Sequence, residues 1–167
     1  MPVGAIAVIG AGAMGSGIAQ VGAVAGLGVI LIEVSDAAVE KGLEGIRRNL
    51  QKLVAKGKMT QADKDAALGS IRGTTALEDV APADVVIEAV TENYEIKLDL
   101  LQRLDALAPA ETIIASNTSS IAISPDSRRR YRIRSASSGC TSSTRCRSWR
   151  WSRSFAASRP VTRRTTP

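Results

Sequence analysis

The sequence predicts an α/β domain over residues 1–124, a doubly wound parallel sheet of five strands in the order 3-2-1-4-5, followed by a tail of different character over 125–167. Three observations carry this. A short apolar strand runs straight into Gly10-Ala11-Gly12-Ala13-Met14-Gly15 and then into helix-compatible sequence. Further short apolar strands alternate with helical patterns through short links, which is how a parallel sheet is written in sequence. Composition then breaks near residue 126. Residues 1–126 hold 10 Lys+Arg and all 16 Asp+Glu, a net of −6, whereas residues 127–167 hold 12 Arg, no Lys and no acid, a net of +12.

The first strand is the apolar run ending in Val8-Ile9, and the helix after the glycines is expected over Met14 to Leu27. Val29-Ile30-Leu31-Ile32 is the second strand and ends in Glu33. Ser35 or Asp36 then caps a helix on which Val39, Leu43, Ile46, Leu50 and Leu53 recur every three or four residues, until Gly57 ends it after Lys56. Thr60 and Asp63 have capping-box spacing for a shorter helix closing near Gly69, so a helical hairpin separates the second and third strands. Ile71 to Ala76 is a weak third strand, and Asp84-Val85-Val86-Ile87-Glu88 a β-branched fourth. Asn93 to Leu107 is amphipathic, with Ile96, Leu100, Leu101, Leu104 and Leu107 on one side, and Pro109 stops it. Thr112-Ile113-Ile114-Ala115 is the fifth strand and leads into Ser116-Asn117-Thr118-Ser119-Ser120. A sheet of this kind binds its ligand at the carboxyl ends of the strands. Those ends carry Gly10, Glu33, the Glu88 to Glu92 loop and Asn117 to Ser120.

The glycine turn is a nucleotide cradle. Gly10 permits the tight turn, Gly12 admits a pyrophosphate to the backbone, and Gly15 lets the helix approach the sheet, while Ala13 and Met14 open the helix whose N-terminus stabilises anions. Glu33 follows the glycines at the distance expected of a carboxylate that accepts the ribose hydroxyls and repels a 2′-phosphate, so the expected cofactor is NAD rather than NADP. The plainer alternative is a strand–turn–helix connection with an incidental acid.

Length and composition bound the rest. With 167 residues, the chain is expected to hold one domain and to be too short for a complete two-domain dehydrogenase. No secretory pattern and no membrane-spanning apolar run is expected, so the cytoplasm is the expected location. Cys140 and Cys146 lack zinc-site spacing, and no metal is expected.

Four segments resemble the NAD-binding domain of 3-hydroxyacyl-CoA dehydrogenases, in particular the bacterial 3-hydroxybutyryl-CoA type. They are Val8 to Ala19, the helix Lys41 to Lys58, Ile87-Glu88-Ala89-Val90-Thr91-Glu92-Asn93 with Lys97, and Ala115 to Ile121. The resemblance implies a Rossmann-like fold with Glu33 on the adenosine ribose and with Glu92 and Lys97 approaching the cofactor. It implies that Ser119 reaches the nicotinamide end and the substrate's 3-oxygen, that Asn117 orients that region, and that Asn49 and Lys56 touch coenzyme A. Arg47, Arg48, Lys52 and Lys58 lie near those two in sequence and could meet the phosphates of coenzyme A. An acyl-CoA substrate, fatty acid metabolism and a family homodimer are implied with them. The same residues also read as a solvated basic helix face, a capped polar turn, and surface residues at a helix start.

Members of this family use a histidine as general base, held by a glutamate, and this chain has 0 His. An imidazole suits the task because it titrates near neutral pH. The family's His-Phe-x-Asn-Pro segment is also not found. Its place is occupied by the tail, and codon arithmetic offers a reason. Tryptophan has the single codon TGG, so Trp149-Arg150-Trp151 read one nucleotide earlier permits (Met/Leu/Val)-Ala-(Met/Leu/Val). The same shift from Cys140 to Ala157 permits (Leu/Met/Val)-His-Phe-Phe-Asn-Pro-Val-Pro-Val-Met-Ala-Leu-Val-Glu-Val-Ile-Arg-Gly. The hidden histidine falls in the slot of Thr141 and the hidden glutamate in that of Arg153. A frame change between Ser124 and Asp126 is therefore expected, with an inactive NAD-binding fragment as its product and a disordered tail after it.

Two other readings remain open. The tail, with 12 Arg, Trp149, Trp151 and Phe155, could bind single-stranded nucleic acid by phosphate contact and stacking. The domain could also belong to another Rossmann dehydrogenase, such as a 3-hydroxyisobutyrate or 6-phosphogluconate relative.

Overall fold

The structure is a computed structural model, and it describes residues 3–90 and 92–117. Five parallel strands form one sheet in the order β3-β2-β1-β4-β5, as the sequence predicts. Strand β1 (Ala5–Ile9) lies at the centre, between β2 (Gly28–Ile32) and β4 (Val85–Glu88). Strand β3 (Ile71–Thr74) pairs with β2, and β5 (Ile113–Ser116) with β4. Among the described residues β5 is an edge. The expectations of a disordered tail over 125–167 and of contacts by Ser119 lie outside the described residues.

Both faces of the sheet are covered, so its central strands are apolar on both sides. Ile6 and Val8 of β1 join Val29 and Leu31 in a core under the helices α1 (Ala13–Val24), α2 (Asp36–Ala55) and α3 (Gln61–Gly69). Ala7 and Ile9 face the other way, with Val86 and Ile114, towards Leu101 and Leu104 of α4 (Tyr94–Leu107). A single 3-10 turn, Leu77–Val80, too short to register as a periodic pattern in sequence, buries Leu77 and Val80 in this second core.

The helix ends follow local chemistry. The Ser35 hydroxyl caps α2 by accepting from the Ala38 N–H, and Thr60 with Asp63 forms the predicted capping box on α3. Gly57, at φ +65°, closes α2 as expected. The first helix is shorter than predicted and stops at Val24 rather than Leu27. Gly26 takes φ +84°, and the Gly26 and Leu27 N–H groups turn back onto the Ala23 and Gly22 carbonyls, which terminates the helix before Leu27. The apolar side assigned to the last helix is also corrected: Ile96 is 53% exposed, and Lys97, only 3% exposed, takes the core position in line with Leu101 and Leu104.

Candidate functional site

The carboxyl ends of β1, β2, β4 and β5 meet on one rim. At β1, Gly10 leaves the strand at φ +99°, and a Cβ there would come within 2.6 Å of the Ala89 carbonyl oxygen beyond β4. Gly15 is tighter still, since its Cβ would sit 1.7 Å from the Gly10 carbonyl oxygen. Gly12 differs from both. It has an ordinary φ of −65°, and nothing lies within 4 Å of where its Cβ would be. Two of the glycines therefore let the chain pack against itself, and the third leaves open space over the start of α1. Gly12 provides no side-chain cap and the first turn, Ala13 onward with Met14 exposed, carries no acid, so its N–H donors are left to an anion. This arrangement fits a pyrophosphate.

Glu33 closes the turn from the β2 side. One carboxylate oxygen accepts from the Ala11 N–H at 2.8 Å and the other from the Val34 N–H at 2.9 Å. The acid predicted from its spacing thus lies against the glycine turn, where its remaining acceptor capacity suits a ribose diol. Helix α2 also supports the turn, because a Cβ on Gly42 would meet the Ala11 Cβ at 2.6 Å. Asn49 on that helix and Lys56, its C-cap, are both exposed, and Arg47 is drawn into ion pairs with Glu44 and Glu40 that raise its pKa.

The β4–β5 side of the rim is built differently. The Glu88 side chain is fully buried, yet its carboxylate accepts three hydrogen bonds: from the Lys97 amine at 2.7 Å, the Val90 N–H at 2.8 Å and the Ser116 hydroxyl at 2.5 Å. Its backbone carbonyl accepts from the Asn117 N–H at 2.8 Å. Strand periodicity explains the meeting. Glu88 follows Val86, and Ser116 follows Ile114, on the face that packs against α4, and the register sets Glu88 opposite Ser116. The predicted residues Lys97 and Asn117 thus both bond to Glu88, one through its amine and one through its backbone. Glu92 is exposed and precedes Asn93, the N-cap of α4. Sequence reasoning misses Glu88 and Ser116 as site residues. The available signal is a lysine at the i−4 position from Leu101, in an apolar stripe facing a strand that ends in an acid.

Among the described residues no group of three or more acidic, cysteine or histidine side chains could hold a metal, and no helix is long and apolar enough to cross a membrane.

Comparison with known proteins bears directly on this rim. Residues 5–129 match the model of the 3-hydroxyacyl-CoA dehydrogenase NAD binding domain. A probable 3-hydroxybutyryl-CoA dehydrogenase of Deinococcus radiodurans is 47% identical over 116 residues, 70% of this chain and 41% of that protein. The 3-hydroxybutyryl-CoA dehydrogenase of Clostridioides difficile is 44% identical over 118 residues, 71% of this chain and 42% of that protein. The crystal structure of (S)-3-hydroxybutyryl-CoA dehydrogenase from Ralstonia eutropha superposes with a TM-score of 0.72 at 47% identity, covering 73% of this chain and 43% of that one. The chain spans about two fifths of the length of the curated relatives it matches. It belongs to the 3-hydroxyacyl-CoA dehydrogenase family, through that family's NAD-binding domain.

Proposed function

We propose that residues 3–117 are the NAD-holding half of a dehydrogenase that interconverts 3-hydroxybutyryl-CoA and its 3-keto form, and that the chain as written holds the cofactor without turning substrate over. The observation that carries the first part is the Glu33 carboxylate bonded to the Ala11 N–H at 2.8 Å, above a helix N-terminus that Gly12 leaves open. Bound NAD would supply the hydride acceptor. Around it, the first turn of α1 would hold the pyrophosphate and Glu33 the adenosine ribose, and Glu92, Lys97, Asn117 and Ser119 belong to the nicotinamide side. Asn49 on α2 and Lys56 at its C-terminal cap would meet coenzyme A, the substrate handle named in the relatives.

The second part rests on the sequence. Abstraction of the 3-hydroxyl proton needs a base that titrates near neutrality, and the chain has 0 His. Ser119 cannot replace it, because an unassisted hydroxyl is far too weak a base. The frame change near codon 125 accounts both for this loss and for the Arg-rich composition of 127–167, and it makes a nucleic-acid-binding role for the tail unnecessary.

The test is NADH oxidation with acetoacetyl-CoA, run on the 167-residue chain and on a protein with the frame restored near codon 125. NADH should bind to both, and only the restored protein should turn over. Loss of the base alone is worth roughly 10²- to 10⁴-fold. Robust turnover by the 167-residue chain would show that the base lies elsewhere, and failure of NADH to bind would remove the cofactor assignment.

A further inference from the structure

The cofactor reading does not use the most heavily bonded side chain on the rim. Glu88 is completely buried and its partner Lys97 is 3% exposed, so each is a charge held away from water. Such a pair is weak evidence for stability, because well-packed apolar residues often serve as well. What distinguishes this one is where its bonds go. Two carboxylate oxygens tie together three pieces of chain that meet only at the rim: the turn after β4 through the Val90 N–H, the first turns of α4 through the Lys97 amine, and the end of β5 through the Ser116 hydroxyl. The Glu88 carbonyl adds the Asn117 N–H. None of these bonds reaches the β1–β2 side.

A doubly wound sheet binds a dinucleotide across the point where strand order reverses, here between β1 and β4. Glu33 at the end of β2 puts the adenosine half on one side, which leaves the β4–β5 side for the nicotinamide half. We propose that Glu88 is the positioning residue of that second wall: its carboxylate fixes the β4–α4 turn, the Lys97 amine and the end of β5 in one arrangement, so that the nicotinamide half meets a preformed surface. This rests on the NAD reading above.

In Glu88→Gln the amide nitrogen cannot accept, and Lys97 loses its counter-charge, so the amine is no longer held in its buried position. The effect should fall on one half of the ligand. Isothermal titration of the full chain with NADH and, separately, with ADP-ribose, which lacks the nicotinamide, reads the two halves. Glu88→Gln should weaken NADH about tenfold or more and leave ADP-ribose within about twofold, since one charged hydrogen-bonding network is worth that much. If Glu88→Gln does not fold, Ser116→Ala keeps the ion pair intact and should weaken NADH by a smaller factor of about three, with ADP-ribose unchanged. Equal losses for both ligands would reduce Glu88 to a general support of the fold, and unchanged NADH affinity would overturn the proposal. An unaltered chain that binds ADP-ribose but gains nothing from the nicotinamide would also overturn it while leaving the adenosine site standing. Binding of neither ligand would defeat the cofactor reading itself.

Discussion

The two sides of the rim are each held in one arrangement, by opposite means. On the β1–β2 side the work is done by what is left out: Gly15 and Gly10 let backbone pack against backbone, and Gly12 leaves an opening. Glu33, the acid that closes the turn, is only partly buried and bonds to two backbone N–H groups. On the β4–β5 side the work is done by a buried charge pair whose carboxylate also accepts from the Val90 N–H and the Ser116 hydroxyl. The contrast teaches that a backbone site tolerates almost no added atom, whereas a side-chain site tolerates no missing one.

That difference can be broken by mutation, with the largest effect expected on the charged side. Lys97→Ala leaves the Glu88 carboxylate buried without its cation, and removing one partner of such a pair costs about 3–5 kcal/mol. The urea midpoint of unfolding measures it, and a loss below about 1 kcal/mol would mean that water reaches the pair and the two sides are less different than their burial says. Next comes Gly15→Ala. Its methyl would meet the Gly10 carbonyl oxygen at 1.7 Å, and because backbone cannot rotate away, a loss of about 3 kcal/mol is expected. Gly12→Ala serves as its control: with open space around that Cβ it should leave the urea midpoint almost unmoved and weaken NADH binding instead. A fall in stability equal to that of Gly15→Ala would contradict the division of roles.

Glu33→Ala sharpens the comparison from the cofactor side. It frees two backbone N–H groups that water can satisfy, so stability should change little, but the preference for NADH over NADPH should fall about tenfold or more. Equal affinity for the two in the unchanged chain would already refute the role. The smallest effect lies at the opposite end of the sheet. Hydrogen bonds from the Ala5 and Gly4 N–H groups hold the Asp84 carboxyl below the ordinary carboxylate range. Its contribution is complete above the unfolded value of about 3.9 and is lost as pH falls through the lower folded value, so Asp84→Ala should flatten the acid limb of a Tm-against-pH curve. Because the group is exposed, the flattening should be slight, and an unchanged limb would remove Asp84 from the acid response.

The backbone side is legible in sequence because Gly10, Gly12 and Gly15 directly follow an apolar strand at the spacing a phosphate-binding turn requires, and Glu33 follows from its distance to them. The strand order, the helical hairpin and the Thr60–Asp63 box are legible for similarly local reasons. The charged side is legible only in part: the resemblance names Lys97 and Asn117, but nothing local joins them to Glu88 and Ser116. Glu88, Ser116 and Lys97 lie on three elements, and only the parallel register and the packing of α4 bring them within bonding distance. Ile96 misleads for a related reason: periodicity marks a stripe without fixing which edge of it faces the sheet, and with Lys97 buried against Glu88 the adjacent Ile96 is exposed.

The central position of β1 also sets an order of assembly. One neighbour, paired through Ala5 and Gly28, arrives after a single helix, whereas the other, paired through Ile6 and Val85, arrives only after the hairpin α2–α3, β3 and the 3-10 turn have been made. Closing the longer loop costs more entropy before any contact rewards it, and sheets with such distant pairings fold slowly. The unit β1–α1–β2, which holds the glycine turn and Glu33, can therefore form on a growing chain well before β4 emerges. Until then one side of β1 stays unpaired, and the nascent chain carries a temporary strand edge at the core of the future domain.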